Sequence, residues 1–105
     1  MGADAAARYL SDKYRQHDPL VGDGRQAFIG YVAGFLTACP DLRLTIKRLV
    51  AEGDLVAVHS HIDPGPSHRG TAVMDMFRLE HGRIVEHWDV VREIPTTAAN
   101  PNSML

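Results

Sequence analysis

Cysteine is nearly absent. The 105-residue chain holds one, Cys39, so no disulfide can form within it. Cys39 closes a helical apolar stripe and reads as a small core residue rather than a nucleophile. No basic run stands out, and the formal net charge is −2. A nucleic-acid partner is therefore not expected, since that function needs a clustered basic footprint. No apolar stretch approaches the length of a membrane span. The opening residues, MGADAAARYLSDKYRQHD, mix charges early and lack the apolar block of a signal peptide. These absences predict a cytoplasmic protein with neither nucleic acid nor membrane as partner. Repeats and low-complexity linkers are missing as well, and the length suits one domain over residues 1–105.

What is present is a change of period. Asp4 is placed to cap a helix running through Tyr14 or Arg15, with Ala6, Leu10 and Tyr14 at helical spacing, and "HDP" at His17 to Pro19 ends it. A second helix follows Gly24. Phe28, Tyr31, Val32, Phe35, Leu36 and Cys39 recur at steps of three and four before Pro40. Beyond Pro40 the period becomes two. Leu42, Leu44 and Ile46 alternate with Arg43, Thr45 and Lys47, "AEGD" turns, and "LVAVHSHI" makes a second strand. "DPGPSHRG" is a loop, because Pro64 and Pro66 cannot sit inside a ladder. "TAVMDMFRLE" and "RIVEHWDVVREI" are strands joined at "HG", and Pro95 stops the last. The tail "TTAANPNSML" has no period and is either loose or laid over the surface. Helices followed by a meander predict an α+β domain, with helices covering one face of a curved antiparallel sheet that encloses a largely apolar pocket.

Several side chains with chemistry sit on those strands. On "VEHWDVV", His87 and Asp89 share one face, and Glu86 and Trp88 the other. Asp75, in "VMDMF", suits either a solvated face or a pocket. A two-residue turn at His81 and Gly82 would set Asp75 opposite Trp88. A bulge at Gly82 would set it opposite His87, and the glycine favours that form. Asp75, His87 and Asp89 then form one polar row; the alternative is a solvated row with Trp88, Met74 and Met76 as core. His59 and His61 form an H-x-H pair that could hold zinc with a third ligand such as His17 or Asp75, but the spacing fixes no third ligand.

The chain resembles the SnoaL-type polyketide cyclases of the NTF2-like superfamily, in the branch of predicted aldol-condensing enzymes. The resemblance rests on "YRQHDP" (Tyr14 to Pro19), "IKRLVAEGDLVAVHSH" (Ile46 to His61), "VMDMFRLEHGRIVEHWDVV" (Val73 to Val91) and the "NPNSML" end. "PSHRG" stands where related cyclases often carry a Gly-Thr-His-x-Gly loop. The resemblance implies a cone-shaped fold and an acid–base enzyme that takes a small carbonyl compound and needs no cofactor and no metal. It departs at two places. The family's first long helix, ahead of the position of Ala3, is missing, which implies a pocket wall absent or supplied by a partner chain, and hence a homodimer. The cyclase acid/base aspartate, four residues after the strand tryptophan, is replaced by Arg92.

An aldol reaction needs a base for an acidic C–H and an acid for the carbonyl oxygen. The resemblance turns Asp75 and His17 into a shared pocket, so the expected catalytic residues are Asp75, His17 and His87. Trp88, Asp89, Arg92, His59, His61 and Tyr14 are the expected substrate contacts. Isomerisation or dehydration would use the same groups. The competing readings are a non-catalytic binder of an apolar ligand and a module whose sheet mainly makes a dimer.

Overall fold

The computed structural model describes residues 8–66 and 68–105. Strand β1 (Leu10–Gln16) precedes a helix, α1 (Arg25–Ala38). Four strands follow: β2 (Arg43–Glu52), β3 (Leu55–Asp63), β4 (Thr71–Glu80) and β5 (Arg83–Glu93). They form one curved sheet in the order β1-β5-β4-β3-β2. The meander of β2 to β5 is antiparallel, as the alternation predicts, whereas β1 runs parallel to β5. The α+β expectation holds, with a mixed sheet in place of a purely antiparallel one.

The expected first helix is corrected. Its start at Asp4 lies outside the described residues, Arg8 and Tyr9 are helical, and from Leu10 the chain is a strand. The physical reason is an ambiguity of spacing. Leu10 and Tyr14, four apart, share a face in a helix and in a strand alike. A short helix gains little from propensity alone. Pairing with the open edge of β5 instead satisfies backbone groups on both strands. Leu10 and Tyr14 are 3% and 4% exposed, and Phe28 and Ile29 of α1 pack on them. Each such side chain stabilises the fold by roughly 1.5–3 kcal/mol.

Helix α1 therefore covers the sheet mainly at β1. The Tyr14 and Phe28 rings lie 5.8 Å apart. Phe28 and Val32 are half-buried, as a helix-on-sheet face requires, but Phe35 and Leu36 remain 38% and 39% exposed. With Tyr31, Val32, Leu42 and Ile62 they line an apolar groove of about 160 Å³ between helix and sheet.

The register of β4 on β5 fixes the site. Glu80 pairs with Arg83 across a two-residue turn. His81 and Gly82 both have positive φ, 51° and 75°, the geometry of a tight turn whose twist matches the strands. On its own that turn would place Asp75 opposite Trp88. The ladder, however, passes from Leu79↔Ile84 to Arg78↔Glu86, which leaves Val85 as a bulge. Asp75 consequently lies opposite Asp89, with Phe77 opposite His87. The expected bulge at Gly82 is thus replaced by one inside β5, while the expected sharing of a face by Asp75, His87 and Asp89 holds.

Candidate functional site

On the helix-covered face of the sheet, four elements bring their polar groups together. His87, 7% exposed at its side chain, points Nε2 at Oδ1 of Asp75 across 2.7 Å. The same nitrogen is 4.0 Å from Asp89 Oδ2. Its other nitrogen, Nδ1, lies 3.2 Å from the Tyr14 hydroxyl and 3.0 Å from Oε1 of Gln16. The Phe77 ring stacks on the imidazole at 4.7 Å, which fixes its plane. Asp18, beyond the end of β1, sets a third carboxyl near enough to Asp89 to influence its protonation. Asp75 and Asp89 keep 18% and 12% of their side-chain surface open. The cluster is thus largely dry yet reachable, which strengthens each electrostatic contact within it.

Electrostatics separate the roles. Burial, then the hydrogen bond and charge of Asp18, push the Asp89 carboxyl up to about 6, against an attraction to His87. Burial and the charges of Asp89 and Asp75 push the Tyr14 phenol well above its ordinary value, so it stays a hydrogen-bond donor. The raised Asp89 carries a stability consequence. At low pH the group is protonated in both the folded and the unfolded chain. Between about pH 4 and 6 the unfolded chain releases its proton first, so folding loses stability as pH rises through that window. Asp89→Asn keeps the size of the side chain and removes the loss. Its melting temperature should exceed wild type by about 3–6 °C at about pH 8, with no difference at about pH 4. Thermal scans at the two pH values check this, and a variant no more stable at the higher pH contradicts the assignment.

The other expected site residues stand on the opposite face. His17, the residue after Gln16, stacks on Trp88 at 4.8 Å and lies 2.6 Å from Oε2 of Glu86. Glu86 also accepts from Arg78 Nε at 2.9 Å, and these two partners, His17 first, hold its carboxyl below the ordinary range. Trp88 pairs with Met76, the neighbour of Asp75, so strand alternation puts His17 and Asp75 on opposite sides of the sheet. The expectation of one pocket for both is corrected. The reason is the strand conformation of β1, which turns Gln16 inward and His17 outward. Arg92, opposite Ala72, belongs to the outer face as well.

His59 and His61 are outer-face anchors rather than pocket residues or a zinc pair. Nε2 of His59 lies 2.8 Å from the Met104 carbonyl and Nδ1 contacts Arg48, so the tail is laid over the surface. Nε2 of His61 lies 2.9 Å from the Arg69 carbonyl and holds the 64–70 loop.

Asp75, His87 and Asp89 bring one donor atom each within 4.8 Å of one another, a spacing a metal ion could bridge. Asp75 and His87 are already hydrogen-bonded to each other, and among the described residues no buried side-chain nitrogen or oxygen lacks a partner. The set is built first to share protons. Gln16 and Asp18 escape sequence reasoning. The signal that could have found Gln16 is its two-residue step from Tyr14, meaningful only once β1 is read as a strand.

A model of the SnoaL-like domain matches residues 2–87. No curated protein matches the chain. Among solved structures, TsrD from Streptomyces laurentii is 23% identical with a TM-score of 0.71, over 84% of this chain and 74% of that one. A loop-truncated variant of IdmH is 25% identical with a TM-score of 0.71, over 84% and 78%. Wild-type IdmH is described as a candidate polyketide cyclase from Streptomyces antibioticus. A candidate isomerase of the SnoaL-like family from Agrobacterium tumefaciens is 17% identical with a TM-score of 0.72, over 85% and 79%.

Proposed function

Because the chain belongs to the SnoaL-like domain family, we propose that it is a cofactor-independent acid–base enzyme acting on a small carbonyl compound, with intramolecular aldol condensation as its reaction. The observation that carries this reading is the Asp75–His87–Tyr14 row with Asp89 beside it. Asp75 takes the proton from the carbon next to a carbonyl, and the charge moves onto that carbonyl oxygen as an enolate. The Tyr14 hydroxyl donates a hydrogen bond to the oxygen and stabilises it. The enolate carbon attacks the second carbonyl, forming a C–C bond, and the new alkoxide receives a proton from Asp89. A carboxyl raised to about 6 suits that delivery near neutrality. His87 relays the proton that Asp75 has taken on to Asp89, whose Oδ2 lies 4.0 Å from the same ring nitrogen, so both carboxyls regain their starting state. The apolar groove between α1 and the sheet gives the carbon skeleton of the substrate a dry wall.

The same proton abstraction followed by return to another carbon is isomerisation, and the isomerase-described neighbour makes that the second reading. Both require exchange of the carbon-bound proton. Incubation of the protein with small 1,3-dicarbonyl compounds in D2O, read by proton NMR, should show protein-dependent loss of the α-proton signal. Binding without exchange would leave only a ligand-holding module.

The proposed assembly is a homodimer through the outer face. Val50, Met74, Met76 and Val90 are 70%, 50%, 41% and 73% exposed there. They are brought side by side by the pairings Val50↔Ala57↔Met76 and Met74↔Val90. The free edge of β2 carries Arg43, Lys47 and Arg48 and a bulge, features that oppose strand addition and leave the face as the route. Light scattering at micromolar concentration should give twice the chain mass, and Met76→Glu should shift it to the monomer. A monodisperse wild-type monomer would remove the dimer.

A further inference from the structure

We propose that Gln16 is a positioning residue that places a hydrogen on Nδ1 of His87 and turns the Tyr14 hydroxyl toward the substrate; its catalytic meaning rests on the acid–base reading above. The geometry starts from two backbone amides. The N–H groups of His17 and Asp18 donate to Oε1 of Gln16 at 3.0 and 3.1 Å, the first shared with the His87 carbonyl at 2.9 Å. Backbone N–H groups only donate, so the Gln16 amide has one acceptable orientation. Turned over, its NH2 would face two donors.

That orientation settles what its neighbours carry. Oε1 faces Nδ1 of His87 at 3.0 Å. An acceptor so placed requires a hydrogen on Nδ1. Nε2 is then the nitrogen that exchanges a proton with Asp75 across 2.7 Å: one further hydrogen lies between that pair, on Nε2 while Asp75 is a carboxylate and on Asp75 when Nε2 is bare. The other end of the amide acts on Tyr14. Gln16 Nε2 donates to the Tyr14 oxygen at 2.7 Å. The phenol cannot give its own hydrogen to Nδ1, which already bears one, although the two atoms lie 3.2 Å apart. The hydroxyl hydrogen is left for a substrate oxygen. Without Gln16 the phenol would donate to Nδ1 and move the ring hydrogen to Nε2. That change would remove the proton acceptor beside Asp75 and the donor to the enolate together. A single amide, itself held by the turn after β1, therefore couples the base to the oxyanion donor.

The test is whether Nδ1 of His87 carries a hydrogen, read from its ring nitrogen shifts by long-range proton–nitrogen NMR on histidine-labelled full-length protein without substrate, over a pH series. Wild type should show the hydrogen on Nδ1; a bare Nδ1 would overturn the inference with no variant needed. Gln16→Leu should move the hydrogen to Nε2. Gln16→Glu keeps an acceptor and should leave it on Nδ1, which makes it the conservative rescue and the fallback if the leucine variant does not fold. In the exchange assay Gln16→Leu should lower kcat about tenfold or more with KM little changed, the size of a misplaced acid–base group. A folded Gln16→Leu with the wild-type tautomer overturns the assignment. Since the tautomer is read without turnover, a protein with the expected tautomers and no exchange would cost the enzymatic reading alone.

Discussion

Asp75→Asn should lower α-proton exchange and turnover by about a hundredfold or more, the scale on which a general base acts. Ligand affinity should stay within about threefold, because the substitution keeps size and leaves the apolar groove untouched. The asparagine cannot take a proton from carbon. It can still donate from Nδ2 to Nε2 of His87, so the buried imidazole keeps a partner and the fold keeps its core. This separates the expected result from simple unfolding: melting should change little while exchange collapses. Asp89→Asn is the companion. It leaves the base in place and removes the acid, so it should spare exchange of the α-proton while slowing the later step that forms the alcohol. Full exchange in Asp75→Asn would move the base elsewhere. Loss of exchange in Asp89→Asn with full exchange in Asp75→Asn would exchange the two roles.

The meander was legible because its periods are unambiguous. Val73, Asp75 and Phe77 alternate with Met74 and Met76, and His87 and Asp89 with Trp88 and Val90, so membership of a face follows from parity alone. Which face is covered does not follow, since both carry apolar and polar side chains. The inner one holds Val73 and Val85 at 3% and 5% exposure, while the outer one leaves Met74 half open. Coverage was decided by β1, the element that sequence reading made a helix. With Leu10 and Tyr14 four apart, parity and helical period coincide, and only the open edge of β5 breaks the tie. That error left unopposed the resemblance's placement of His17 in the pocket, and it hid Gln16 and Asp18. The register error had a similar source. A turn at His81 and Gly82 was readable from the glycine, but nothing in "RIVEH" announces that Val85 is skipped by the ladder. One extra residue moved Asp75 from Trp88 to Asp89 and, in doing so, set two carboxylates beside one histidine. The family resemblance pointed to the right fold. Among the expected site residues, His17, His59, His61, Trp88 and Arg92 belong to the outer face.

Gly70→Ala should be the most damaging single change to the fold. Gly70 ends the 64–70 loop with φ +84°, where a side chain is strained. A Cβ there would stand 2.5 Å from the Ile62 carbonyl oxygen and closer still to Nε2 of His61. The imidazole is the far end of a side chain and can move, at the cost of its bond to the Arg69 carbonyl. The Ile62 carbonyl belongs to β3 and cannot. Left-handed strain of about 1–2 kcal/mol and overpacking of about 1–3 kcal/mol act together, so a loss of about 2–4 kcal/mol is expected. For a chain of this size that lowers the melting temperature by roughly 10–20 °C. The damage should spread, because the Gly70 carbonyl accepts from Ile94 N at 3.0 Å and so ties the loop to the end of β5. It also borders a cavity of about 720 Å³ lined by Phe35, Cys39, His68, Arg69, Glu93 and Ile94, at the far end of the face that carries Asp75. Urea and thermal unfolding measure the loss. His61→Ala in the Gly70→Ala background separates its parts. Removing the imidazole should restore only a fraction of the stability, because the clash with the Ile62 carbonyl and the strained φ remain. A Gly70→Ala protein within about 0.5 kcal/mol of wild type, the range of an ordinary surface change, would show that the loop yields freely and that His61 does not hold it.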